Sequence, residues 1–218
     1  MNANHPDITA CLAKLRSPDP TVRNEGVDAA LALGVAVIPA LLPLLEADDD
    51  AVRAAAVYIL AQLATPEVAE PLLRATNDPG AAARAYAAVG LARLQHPAAL
   101  SACVQALNDA PDPLHLDITP AAQALGEMGL VAVPAVLDLM LSEEPLTRLR
   151  AQRALELILS HRHGFQPARG FPTPAAEERM RAEWQSNGNY DADQSPQERA
   201  AAVAKWRQWL AARTAVGG

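Results

Sequence analysis

Residues 19–34, DPTVRNEGVDAALALG, return at residues 49–64 as DDAVRAAAVYILAQLA. The shift of 30 residues carries Asp19 onto Asp49 and Arg23 onto Arg53. A third copy runs from Asp78 to Leu94, where ARAYAAVGLARL sets Arg84 at 31 residues after Arg53. Fainter copies follow. GVAVIPALLPLL (34–45) is matched by GLVAVPAVLDLM (129–140) at a shift of 95, and EPLTRLRAQRALELIL places Arg148 at 125 residues after Arg23. Five repeats of about 31 residues therefore account for residues 7–160. A period of this length means small supersecondary units that bury their apolar faces against one another.

Each repeat reads as two helices. After Arg53, the apolar Ala56, Val57, Leu60 and Leu63 fall on one side of a helix, leaving the first, second and fifth residues after the arginine on the other. Helix starts are marked by Asp19-Pro20, Thr65-Pro66, Asp78-Pro79 and Thr119-Pro120, each a capping side chain before a proline that fits the first turn. No alternating, β-branched segment is present, so an all-α architecture is predicted.

A helix pair whose second helix opens D-x-x-V-R before an Ala/Leu run resembles the HEAT family, in particular its short bacterial form first associated with phycobilisome lyases. Asp19, Val22 and Arg23, then Asp49, Val52 and Arg53, and more loosely Asp78 with Arg84, carry the resemblance. It implies a right-handed α-α superhelix with the second helices on a concave face. It also implies a ladder of paired Asp and Arg side chains, here Asp19, Arg23, Asp49, Arg53, Asp78, Arg84 and Arg148. The fourth repeat departs from the pattern, because a shift of 95 from Arg23 lands on Ile118 and the turn is stretched to DAPDPLHLDIT (109–119).

Composition divides the 218 residues near Ser160, giving a repeat region 1–160 and a C-terminal extension 161–218. Phe165, Phe171, Trp184, Tyr190, Trp206 and Trp209 all lie in the extension, while the repeats hold Tyr58 and Tyr86. Residues 1–142 hold 7 basic and 16 acidic residues, and residues 143–218 hold 11 and 9. The extension is predicted to cap the end of the stack through Trp184, Trp206 and Trp209, with Leu155, Ile158 and Leu159 as the receiving surface. Ser195-Pro-Gln-Glu198 is a capping box that starts a helix from Pro196 to about Arg213. Asn187–Gln194, NGNYDADQ, is turn chemistry.

Signs of catalysis are sparse. No G-x-S-x-G, phosphate-binding glycine loop, H-E-x-x-H or C-x-x-C occurs in the chain. His161 and His163 suit a helix C-terminus rather than a metal site, and His115, with Asp112 and Asp117, reads as a surface turn. Cys11 and Cys103 occupy apolar positions three repeats apart, roughly 30 Å at about 10 Å per helix layer, too far for a disulfide. The acidic run Glu46–Asp50 lacks the glycine and closing glutamate of a calcium loop and reads as a cap. No apolar run reaches the roughly 18 residues needed to span a bilayer, and MNANHPD lacks signal-peptide character.

The polar side of the second helices remains as the candidate binding face. It presents Asn24, Glu25 and Asp28, then Ala54, Ala55 and Tyr58, then Ala85, Tyr86 and Val89, and at the last repeat Leu149, Arg150 and Arg153. Together these observations predict a monomeric, cytoplasmic, non-enzymatic scaffold that binds another protein or peptide without cofactor or metal. The net charge of −7 argues against nucleic-acid and anionic-membrane surfaces. The resemblance also suggests two alternatives, a chromophore-lyase-like activity and a HEAT-like DNA-binding or glycosylase relative.

Overall fold

The computed structural model describes residues 7–109 and 118–214, and among these the regular secondary structure is helical, joined by turns and loops, apart from an isolated bridge between Gln166 and Gly170. Contacts group residues 7–109 into one compact unit and 118–214 into a second, so the last repeat and the aromatic extension share a unit.

In the first unit, α1 (Ile8–Leu15) pairs with α2 (Pro20–Leu33), and α3 (Ile38–Leu41), set between two 3-10 turns, precedes α4 (Asp50–Leu63). Next come α5 (Ala69–Ala75), α6 (Ala81–Arg93) and α7 (Ala99–Gln105). The second helices α2, α4 and α6 stack directly on one another, and the first helices pack against them, α1 on α2 and α5 and α7 on α6. Small side chains permit the close stacking, since Ala56, Ala61, Ala83, Ala87 and Ala88 are all at most 2% exposed.

The second unit contains α8 (Pro120–Met128), α9 (Val133–Leu139) and α10 (Pro145–Arg162), then the extension's α11 (Pro174–Ser186) and α12 (Pro196–Thr214). Here α8 packs on α10, α9 on α10, α11 on α10, and α12 on α9.

Most helix starts follow the sequence signals. Asp19 and Asp49 accept hydrogen bonds from the backbone N–H of Thr21 and Ala51, and the Thr119 hydroxyl accepts from Ala122 N–H. Two starts differ from expectation. Thr65-Pro66 opens a 3-10 turn without a side-chain cap, and α6 begins at Ala81 behind Gly80 because the Asp78 carboxylate is drawn into the turn by Gly80 N–H.

Two stretches, Pro20–Glu46 and Pro120–Leu139, are long and apolar enough by length and composition to cross a membrane, which tempers the expectation drawn from uninterrupted runs. Each is the second helix of one repeat run into the first helix of the next. The joints are Gly34 (φ 60°) and Gly129 (φ 68°), a backbone conformation that side chains with a Cβ disfavour, so each stretch is bent.

Candidate functional site

The repeated arginine has a structural task at every copy. Its guanidinium donates to the backbone carbonyl six residues earlier: Arg23 to Ser17, Arg53 to Ala47, Arg84 to Asp78 and Arg148 to Ser142. The last three also donate to the carbonyl five residues earlier. Each arginine thereby satisfies carbonyls left open where the first helix and its turn end.

The same side chain then reaches forward by 25 residues. Arg53 Nε lies 2.9 Å from Asp78 Oδ2, and Arg84 Nε lies 2.7 Å from Asp109 Oδ2, each pair making two bonds. Arg53 also bonds Asp50. Its hydrogen bond to Asp78, only partly opposed by burial, holds the Arg53 pKa above its ordinary value. The ladder expectation is corrected in detail. Asp19 and Asp49 cap helices rather than pairing with arginines, since their carboxylates are engaged by their own first turns. Asp109 is the partner that the sequence reading missed, although the spacing Arg53-to-Asp78 repeats in Arg84-to-Asp109 and could have found it.

The stacked second helices leave an open groove of about 1060 Å³. Asn24 and Asp28 on α2, Ala54, Ala55 and Tyr58 on α4, and Tyr86 on α6 all line it, so the predicted face forms in this unit. The two tyrosine rings meet edge to face with centroids 5.0 Å apart. That geometry follows from the stack, which brings the fifth residue after one ladder arginine against the second residue after the next. Burial, followed by the neighbouring Tyr58, pushes the Tyr86 hydroxyl pKa up. Asp50, Ala51, Ala81 and Ala82 extend the lining toward the helix N-termini.

Four predicted positions do not behave as a binding face. Glu25 turns away to pair with Lys14 on α1 at 2.8 Å. Ala85 is wholly buried. Arg150 is also wholly buried, and Arg153 pairs with Glu156 at 2.7 Å, so the expected basic end is not an open surface. The extension covers this part of α10: Arg148 Nε donates to the Ala192 carbonyl at 2.9 Å, and Ala192 N–H donates to Gln152.

Ala192 thus receives the arginine that an aspartate receives in earlier repeats. Beside it, Tyr190 is buried and its hydroxyl donates to the Met140 carbonyl; burial pushes its pKa up to about 12. Trp206 is fully buried, with ring centroids 5.5 Å from Trp184 and 5.2 Å from Trp209. Leu155, Ile158 and Leu159 are buried as expected, but α12 packs on α9, while α11 is the helix on α10. The Ser195–Glu198 box forms as predicted. Sequence reasoning also missed Arg199, which follows Pro196 as Arg23 follows Pro20 and donates to the Gln194 carbonyl five residues earlier.

Glu183 gathers the remaining polar groups of the extension. Its carboxylate accepts from His163 Nε2 at 2.8 Å, from Trp209 Nε1 at 2.6 Å and from Arg213 at 2.6 Å. Burial pushes its pKa up, but the bonds from Trp209 and His163 and the nearby Arg213 outweigh this and hold it below the usual range. His161 contacts the Gly126 carbonyl, so both histidines have structural neighbours. His115, Asp112 and Asp117 lie outside the described residues.

Cys11 and Cys103 are buried, and their thiols face the carbonyls of Gly26 and Ala88. Burial raises both thiol pKa values, Cys103 to about 12, which keeps them as poorly nucleophilic thiols at neutral pH. Glu46–Asp50 serves as the cap and turn expected of it, with Asp49 on α4 and Asp50 on Arg53. No group of three or more His, Cys, Asp and Glu is placed to hold a metal ion among the described residues.

The family model for HEAT repeats matches residues 8–84 and again 70–156, overlapping spans that cover the stacked helix pairs and the ladder. The chain belongs to the HEAT repeat family. A search of curated proteins found no match. Among solved structures, this HEAT repeat protein is similar to the complex of CpcE and CpcF of phycocyanin lyase from Nostoc sp. PCC7120. That likeness has 19% identity and a TM-score of 0.41, covering 91% of this chain and 97% of the other. It is also similar to an engineered protein at 18% identity and a TM-score of 0.44, covering 95% and 98%.

Proposed function

We propose that this protein is a non-enzymatic interaction scaffold that holds a partner protein in the groove across α2, α4 and α6. The observation that carries the reading is the half-buried tyrosine pair, Tyr58 and Tyr86, which lines the groove among alanines. Tyrosines are enriched at interface hot spots, and neighbouring side chains that end at Cβ leave room for a partner's backbone and side chains to reach the rings. HEAT repeats as a class support an interaction role. The two thiols argue against a thiol-based lyase, since both are buried with raised pKa values. The acidic excess on residues 7–109, 12 acidic against 7 basic, argues against a phosphate-binding groove.

The test is site-specific photo-crosslinking from position 55, with the captured protein identified by mass spectrometry and its affinity then measured. Tyr58→Ala with Tyr86→Ala should weaken that affinity by more than about 1 kcal/mol while the protein stays folded. Unchanged affinity in the folded double variant would remove the groove from consideration.

A further inference from the structure

We propose that the groove takes a basic segment of its partner, with an arginine or lysine side chain against the Tyr58–Tyr86 pair and its cation facing Asp28. The inference rests on the groove being the interaction site and adds the chemistry of the occupant.

Charge on the groove is unevenly committed. Arg23 lines it and keeps its positive charge, because the Ser17 carbonyl to which it donates is neutral, so it offsets one of the two lining carboxylates, Asp28 and Asp50. The next arginine, Arg53, is shared between Asp50 and Asp78, one positive charge between two carboxylates. Asp28 is exposed and lines the groove. The surplus at the surface is therefore negative.

One feature pulls the other way. The N-terminus of α6 opens on the groove through Ala81 and Ala82, its cap residue Gly80 offers no side chain, and a helix N-terminus favours anions. Asp50 answers it. It does so together with Asp78, whose carboxylate accepts the Gly80 N–H at 2.7 Å, the Arg53 guanidinium lying between the two, so the positive end of α6 already faces carboxylates.

The stack places Asp28 and Tyr58 at the same position of successive repeats, five residues after their ladder arginines, and both line the groove with Ala55. A cation over a tyrosine face is attracted by the ring quadrupole, and a carboxylate nearby adds Coulomb attraction. Arginine suits the site better than lysine, because a planar guanidinium both stacks on a ring and bonds a carboxylate through two N–H groups.

The test uses three fluorescent twelve-residue peptides, alternating alanine with arginine, glutamine or glutamate, titrated by anisotropy at low and physiological salt. The arginine peptide should bind the wild-type protein, and salt should weaken it. Asp28→Asn should reduce its affinity about threefold to fivefold, and Tyr58→Ala with Tyr86→Ala about tenfold, with melting curves confirming that both variants fold. Equal binding of all three peptides, or full arginine-peptide affinity in Asp28→Asn, overturns the proposal. Crosslinking at position 55 separates the two levels of failure. A captured partner whose contacting segment is neutral or acidic sinks the basic occupant but keeps the groove, and a partner captured only elsewhere sinks both.

Discussion

The first unit and the extension both contain aromatic rings at nearly the same spacing, yet the two sets meet opposite fates. Tyr58 and Tyr86 stand 5.0 Å apart and border an open groove, while Trp206 and Trp209 stand 5.2 Å apart and are buried. The neighbours decide the outcome. Around the tyrosines the helix surface carries Ala51, Ala54, Ala55, Ala81 and Ala82, which are too short to close over a ring. Around the tryptophans lie a third indole, the Glu183 carboxylate and the Arg162 and Arg213 guanidiniums, which cover them. An aromatic residue by itself therefore signals neither core nor interface.

The largest effect should come from the covered set. Trp206→Ala removes a fully buried indole and should cost about 3–5 kcal/mol in denaturant unfolding. A loss below about 1 kcal/mol would mean that the extension is loosely held. A chain ending after Ser195 loses all of α12 and should melt earlier than the full chain or aggregate.

In the first unit the ladder should matter more than the groove. Asp78→Ala leaves the Arg53 guanidinium short of two bonds where both side chains are only 9% exposed, and should cost about 3 kcal/mol. Asp19→Ala removes a cap alone and should cost about 1 kcal/mol. Equal losses would show that the forward pairing adds nothing to capping.

Much of this was legible in the sequence, and the illegible parts share a cause. The helix pairs, the repeat boundaries, Ser195–Glu198 and the groove side of α2 and α4 follow from local periodicity and capping, which a short stretch of chain fixes by itself. Which acceptor an arginine reaches depends on packing. The periodic Asp19 and Asp49 were natural candidates, and the actual partners were Asp78, Asp109 and the Ala192 carbonyl. Arg150 shows the same limit. Its place after a ladder arginine matches that of Ala55 and Tyr86, yet it is wholly buried while they line the groove, a difference set by tertiary packing.

A smaller and pH-dependent effect belongs to Glu183. Its pKa is depressed in the folded state, so its contribution is present above the ordinary carboxylate range and is lost as pH falls through the folded value. Glu183→Gln should thus lower the melting temperature at pH 7, by the equivalent of about 1–2 kcal/mol, and the difference from wild type should shrink below about pH 4. A difference that stayed constant across this range would assign the loss to packing rather than to the charge.

The smallest effect should be on the tyrosines, and it sets the sharpest contrast with Trp206. Tyr58 and Tyr86 are half-buried, and their shared contact is a single edge-to-face pair, an arrangement worth about 0.5–1.5 kcal/mol. Replacing Tyr58 by alanine should therefore cost about 1 kcal/mol, and the Tyr58→Ala, Tyr86→Ala double variant only slightly more than the costlier single change, because the second substitution removes a contact already lost. Should the double variant instead lose as much as Trp206→Ala, the rings would be acting as core. Their exposure in the groove would then be a by-product of packing, and the interaction reading would have to rest on the Asp28 side of the groove alone.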